Sequence, residues 1–189
     1  MSGICIITVP FLLILMIGVT WFGLVYNRFV GLRQHLQESW AGIDIELKRR
    51  YDLVPNLVST VQGYAAHEKE VFEKVVEARN RAIKAVGRVD QQSVEEQELG
   101  SCLNRLLAVA EAYPELKADT QFQALQDELV NTEDRLAAAR RFYNGNVRSM
   151  NTLRGSFPTS IVANMAGFKS ADFFELTSAT ERENPRIND

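Results

Sequence analysis

Apolar residues run from Ile4 to Val25 without a single charge among them, and beyond Tyr26 they recur instead at every third or fourth position. The first pattern suits a helix with hydrocarbon on every side: its 22 residues rise about 33 Å, the thickness of a bilayer core. The second suits helices that bury one stripe each. Phe29, Leu32, Leu36, Trp40, Ile43, Leu47, Tyr51 and Val54 form the first stripe, so the membrane helix is expected to continue directly into the first soluble one. Pro55 is expected to break that helix and open a second along Leu57, Val58, Val61, Tyr64, Ala65, Val71, Phe72, Val75, Ala82, Ile83 and Val86, ending near Gly87. Ser93 and Glu96 have the spacing of a capping box for a third helix through Leu99, Cys102, Leu103, Leu106, Val109 and Ala110, closed by Pro114. Thr120 and Gln123 make a second such box. It leads a fourth helix with a heptad-like pattern: Phe122, Leu125, Leu129, Thr132, Leu136, Ala139, Tyr143, Asn146, Met150, Leu153 and Phe157. No segment alternates as a strand does. Four long amphipathic helices bury their stripes only against one another, which predicts an all-α fold, a transmembrane helix continuing into a long antiparallel four-helix bundle.

These patterns divide the chain into an anchor at 1–27, a helical bundle at 28–157, an amphipathic segment at 158–176 and a polar tail at 177–189 that is expected to be disordered. In the anchor, Ile4 and Phe11 are placed in lipid, and Trp21 and Phe22, with Tyr26, fall where an interfacial aromatic belt belongs. A cleaved signal peptide would need a positive first region and small residues at a cleavage site, and neither is present. The segment from Ser156 to Phe168, with Phe173, Phe174 and Leu176 after it, is apolar and too short to span. It either covers the base of the bundle or lies in the lipid interface.

Charge sharpens the division. All 21 Lys and Arg and all 24 Asp and Glu lie at position 28 or later. Arg28 and Arg33 follow the apolar run closely, so the positive-inside rule puts the bulk of the chain in the cytoplasm, on the inner membrane. The net charge of -3 conceals a second asymmetry: residues 89–139 hold 11 acidic and 3 basic side chains. A slightly acidic chain is not built to hold nucleic acid by bulk electrostatics. Helix lengths based on a break at Pro55 return the second turn to the membrane, which would collect Arg28, Arg33, Arg79, Arg81, Lys84, Arg88, Arg148 and Arg154 as a basic collar for anionic lipid, with a solvated face as the alternative.

The run Leu47-Lys48-Arg49-Arg50-Tyr51-Asp52-Leu53-Val54-Pro55-Asn56-Leu57-Val58, with Gly63-Tyr64-Ala65-Ala66-His67-Glu68-Lys69-Glu70 after it, resembles the LemA family of bacterial membrane proteins. So do Tyr113-Pro114-Glu115-Leu116-Lys117-Ala118, Thr132-Glu133-Asp134-Arg135, Arg140-Arg141-Phe142-Tyr143-Asn144 and the stretch from Ser156-Phe157-Pro158 to Gly167-Phe168. The resemblance covers roughly Tyr26 to Phe174. It implies a single-pass anchor and a cytoplasmic helical bundle with no established enzymatic activity. It also implies neighbours in the envelope, since members are often encoded near a membrane zinc peptidase or TPM-domain proteins and one relative belongs to the magnetosome membrane.

The sequence holds no complete catalytic or metal-binding motif. His67-Glu68-Lys69-Glu70-Val71 has valine where the zincin pattern needs its second histidine, and His35 belongs to a different helix. Neither histidine has a glutamate three residues before it, as a di-iron bundle would require. Phosphate loops and nucleophile elbows are missing, and Cys102 reads as packing. No catalytic, cofactor or metal residue is therefore assigned, and no cofactor is expected. The candidate interaction motif is Lys48, Arg49, Arg50, Pro55, Asn56 and His67, against a local reading in which these cations offset the end of a helix. The expected function is a non-enzymatic scaffold that binds membrane lipid, forms homo-oligomers and organises envelope proteins. The alternatives are a self-assembling membrane-shaping protein or an adaptor of a membrane peptidase.

Overall fold

The computed structural model describes the backbone of residues 2–175 and the side chains of residues 11–175, and these are helical with no strand among them. The helices are α1 (Ser2–Tyr64), α2 (Lys69–Ala85), α3 (Val89–Glu111), the single turn α4 (Pro114–Lys117), α5 (Thr120–Gly155) and α6 (Thr159–Ala166). The side chain of Ile4 and the tail at 177–189 lie outside the described residues.

Pro55 does not break the first helix. A proline inside a helix lacks the N–H that would bond the carbonyl four residues back, here that of Tyr51, and leaving that carbonyl bare is what makes the position costly. Arg79 of α2 fills the vacancy: its Nε donates to the Tyr51 carbonyl at 2.7 Å. The helix therefore runs on to Tyr64, and the turn falls at Ala65–Glu68, where Ala65 N–H bonds Val61 and Glu68 N–H bonds Ala65. Helix α2 is correspondingly short, 17 residues, or about 26 Å. The second turn is made by Gly87 at φ 86, a left-handed conformation that glycine adopts without strain.

The described residues fall into two compact units, one up to Ser39 and from Gly145 to Ala171, the other Trp40–Asn144 and from Asp172 on. The first, the anchor unit, contains the apolar run. Leu12, Ile14, Ile17 and Val19 are 60–70% exposed, as a helix bathed in hydrocarbon would be. From Phe11 onward, α1 is the one helix among the described residues that is long and apolar enough to cross a membrane. The main core cluster of this unit is apolar: Val25, Phe29, Met150, Val162, Ala163 and Phe168, with Phe22, Leu32, Leu36 and Leu153 at its edge. Phe168 stacks on Phe29 with ring centroids 4.7 Å apart. Gly167 at φ 72 closes α6 and lets Phe168 N–H bond the Ala163 carbonyl at 2.9 Å. Beyond it the backbone has no regular secondary structure and is held by α5: Arg154 Nε donates to the Phe168 carbonyl, while Asn151 accepts from Ala171 N–H and donates to Ala171 C=O, both at 2.9 Å.

The second, the bundle unit, contains the remainder of α1, α2–α4 and α5 to Asn144. Its stripes are buried largely as their periodicity predicts, with Ile43, Leu47, Val54, Leu57, Val61, Val75, Leu99, Leu106 and Leu136 at the centre. Helix α3 starts at Val89, ahead of the expected capping box, and Ser93 instead donates to the Glu175 carbonyl at 2.7 Å. Pro114 opens α4, where its fixed φ suits the first turn of a helix. The α5 cap is Asp119, whose Oδ1 accepts from the N–H groups of Gln121 and Phe122. A second asparagine grip matches the first: Asn144 accepts from Phe174 N–H and donates to Phe174 C=O. Tyr143 donates to the Asp172 carbonyl, and the fully buried Phe174 ring meets Trp40 edge-on at 5.5 Å.

Candidate functional site

The densest charge in the sequence, Lys48-Arg49-Arg50, lies in mid-helix rather than at a helix end, so the local reading loses its dipole argument. Side-chain periodicity separates the three residues. Lys48 is exposed. Arg49 reaches Glu46 at 3.4 Å and Glu128 at 3.8 Å while remaining partly in solvent. Arg50 falls on the buried stripe, at 3% exposure, and a buried guanidinium needs a carboxylate. It has two: Nη1 stands 2.9 Å from Glu96 Oε2, and Nε is 2.8 Å from Glu133 Oε1.

Glu96 is itself fully buried on α3, so the pair is extended by hydrogen bonds. The Tyr51 hydroxyl donates to Glu96 Oε1. Gln92, one turn before Glu96, donates to the Tyr51 hydroxyl at 2.8 Å and to Glu96 at 3.0 Å. Burial raises the Glu96 carboxyl above the ordinary range, outweighing the attraction of Arg50 and the bonds from Tyr51 and Gln92. Burial, reinforced by the charge of Glu96, likewise holds the Tyr51 hydroxyl firmly protonated. Gly100 leaves the room this needs, since a Cβ there would stand 3.3 Å from Arg50 Nη2.

The acidic stretch 89–139 supplies much of what the basic helices lack. Glu95 pairs with Arg81 at 2.9 Å, Glu96 and Glu133 with Arg50, and Glu128 with Arg49. The expected collar is reduced by the same contacts. Arg79 is engaged with Tyr51, and Arg81 with Glu77 and Glu95, inside the bundle unit. Arg28, Arg33, Arg148 and Arg154 remain in the anchor unit. Arg28 and Arg148 are exposed, Arg33 places its guanidinium 5.8 Å from the Phe168 ring centroid, and Arg154 is half-buried.

The rest of the predicted motif does not converge on Arg50. Pro55 and Asn56 are exposed, and the Asn56 carbonyl accepts from Ser59 and Thr60. His67 is exposed in the turn after α1, and His35 Nδ1 lies 3.5 Å from Glu38. Among the described residues no three His, Cys, Asp or Glu side chains lie close enough to hold a metal. Cys102 is buried and free, its thiol pushed up chiefly by burial. Sequence reasoning missed the roles of Glu96, Gln92 and Arg79, reading Glu96 as part of a cap and Arg79 as part of the collar. A signal existed for the first two, because Gln92, Glu96, Leu99 and Leu103 share one helix face and a glutamate on such a face must find a cation.

Fold and charge pattern together define an all-helical bundle that includes a helix able to cross a membrane, with two members of its densest basic run, Arg49 and Arg50, engaged by internal carboxylates. The chain belongs to the LemA family, whose profile matches residues 39–188. A magnetosome protein MamQ of Paramagnetospirillum magneticum is 26% identical, over 79% of this chain and 64% of its own length, and that of Magnetospirillum gryphiswaldense is 24% identical with the same coverage. The chain thus spans under two thirds of those relatives. A LemA protein of Metamycoplasma hominis is 25% identical over 87% of this chain and 76% of its own length.

Proposed function

We propose that this protein is a non-catalytic scaffold of the bacterial inner membrane, held by α1 with its bundle on the cytoplasmic side, where it assembles with further copies of itself and organises envelope proteins. The observation that carries the reading is α1 itself. One helix bears both an apolar run with its side chains exposed and the first stripe of a bundle whose strongest polar groups are satisfied internally. Arg28 and Arg33 just after the run support the orientation. Relatives that include magnetosome proteins support a role in membrane organisation.

The test is crosslinking in intact membranes followed by extraction into lipid nanodiscs and mass measurement. Particles holding several copies are expected, and particles holding one copy at every crosslinker length would sink the scaffold reading. Protease added to spheroplasts is expected to spare a C-terminal epitope, and its removal would reverse the orientation.

A further inference from the structure

Along α6 and just ahead of it, the side chains of Phe157, Ile161 and Met165 recur at four-residue spacing, are 83%, 48% and 73% exposed, and so make an apolar stripe open to whatever surrounds it. We propose that this stripe lies in the interfacial layer of the same bilayer that α1 crosses, so that the protein grips the membrane with a second, surface-lying element. The inference rests on the membrane-anchored reading above.

Three observations choose lipid as the occupant. The opposite face of α6 fixes its depth: Val162, Ala163 and Phe168 pack with Val25 and Phe29, the residues that straddle the end of the charge-free run, and Phe168 also meets the Tyr26 ring at 5.7 Å. Within the anchor unit, then, α6 sits beside the helix turn at which hydrocarbon gives way to headgroups. The segment also carries no charge from Gly155 to Phe168, yet Arg154 precedes it and Lys169 follows it, an apolar patch between cations that matches anionic headgroups. Finally, the exposed stripe continues an apolar surface that is already committed to lipid, since Phe11 to Leu24 belong to the same unit. The segment is too short to cross, so it lies in the interface.

The experiment uses the full chain, with Cys5 and Cys102 replaced (C5S, C102A), reconstituted into vesicles of phosphatidylethanolamine and phosphatidylglycerol. An environment-sensitive fluorophore is attached at Leu15→Cys, Ile161→Cys, Met165→Cys or Gln126→Cys, and quenched by lipids carrying a spin label near the headgroup or deep in the acyl chain. Ile161 and Met165 are expected to lose emission to the shallow label more than to the deep one. Leu15 should show the reverse order, and Gln126 should lose emission to neither. If Leu15 is quenched and the α6 sites are not, the proposal fails while the anchor stands. A blue-shifted but unquenched α6 probe overturns it in favour of a second protein copy on the stripe, and a red-shifted unquenched one in favour of water. If Leu15 itself is unquenched, the anchor reading fails and the proposal goes with it.

Discussion

The anchor unit and the bundle unit answer the same problem, how to hold helices together, with different chemistry. In the anchor unit the main core cluster is apolar, and it is joined by ring contacts, Phe168 on Phe29 and on Tyr26. In the bundle unit an apolar core surrounds Arg50, Glu96, Gln92 and Thr132, each at most 3% exposed. Hydrophobic burial is strong but indifferent to small slips of register, whereas a buried ion pair tolerates one geometry only. The contrast teaches that α1 is read by two codes along its length: shape before Ser39, and charge matching after Trp40.

The largest effects come from breaking one code at a time. Arg50→Met leaves Glu96 buried without its main cation and is expected to cost about 3–5 kcal/mol. Adding Glu96→Met should recover most of that loss. In the anchor unit Phe29→Ala is expected to cost a similar amount, about 3–5 kcal/mol, with no single partner change able to restore it. Chemical denaturation in mild detergent measures all three, and a double variant as weak as Arg50→Met alone would refute the charge-matching account. A smaller effect tests the proline. Arg79→Met should cost about 1–2 kcal/mol by orphaning the Tyr51 carbonyl. The same change in a Pro55→Ala background should cost about 1 kcal/mol less, because an alanine restores the missing N–H; strict additivity would refute the link.

Next in size is pH dependence. Glu96 has a folded-state pKa raised above its unfolded value, so the folded chain binds this proton more readily. Its contribution therefore declines as pH rises from the ordinary carboxyl range to that raised value and is flat above it. Glu96→Gln should remove that slope and cost about 1 kcal/mol or less at neutral pH, because Arg50 keeps Glu133 and the amide keeps an acceptor. Denaturation of both chains across the acidic range checks it, and an unchanged slope in Glu96→Gln would assign the dependence elsewhere. The smallest effect contrasts two glycines. Gly145, with open space around its missing Cβ, should gain about 0.5–1 kcal/mol as alanine. Gly100→Ala should gain nothing, since the atom it would crowd belongs to an arginine pinned between two carboxylates. Thermal melts of the two variants decide it.

The apolar positions were legible because their burial is local and periodic. Phe29, Ile43, Leu47 and Val54 lie where the three-and-four spacing puts them, and α5 begins and ends almost where its pattern does. What misled was chemistry supplied from a distance. Pro55 is a breaker in isolation, and only Arg79, 24 residues further on, removes the reason for the break. That single displacement of the first turn, from Pro55 to Ala65–Glu68, removes the length arithmetic on which the larger collar rested. Ser93 and Glu96 satisfied the spacing of a cap, but both side chains were already needed elsewhere, at Glu175 and at Arg50. In the candidate motif, Lys48-Arg49-Arg50 is the densest basic run of the sequence, yet a linear sequence does not reveal that only the third of the three turns inward.

The paired grips of Asn144 on Phe174 and Asn151 on Ala171 imply a division of labour in how the end of the described chain is specified. A side-chain amide offers one donor and one acceptor side by side, as a neighbouring strand would, and it touches only the peptide groups that every residue shares. The instructions for where the segment lies are therefore written on the helix that holds it, and the held segment is free to spell almost anything at Ala171. Asn144→Asp would reverse the message with one atom, turning a donor into an oxygen that faces the Phe174 carbonyl. Phe174 would keep its own packing while losing its address.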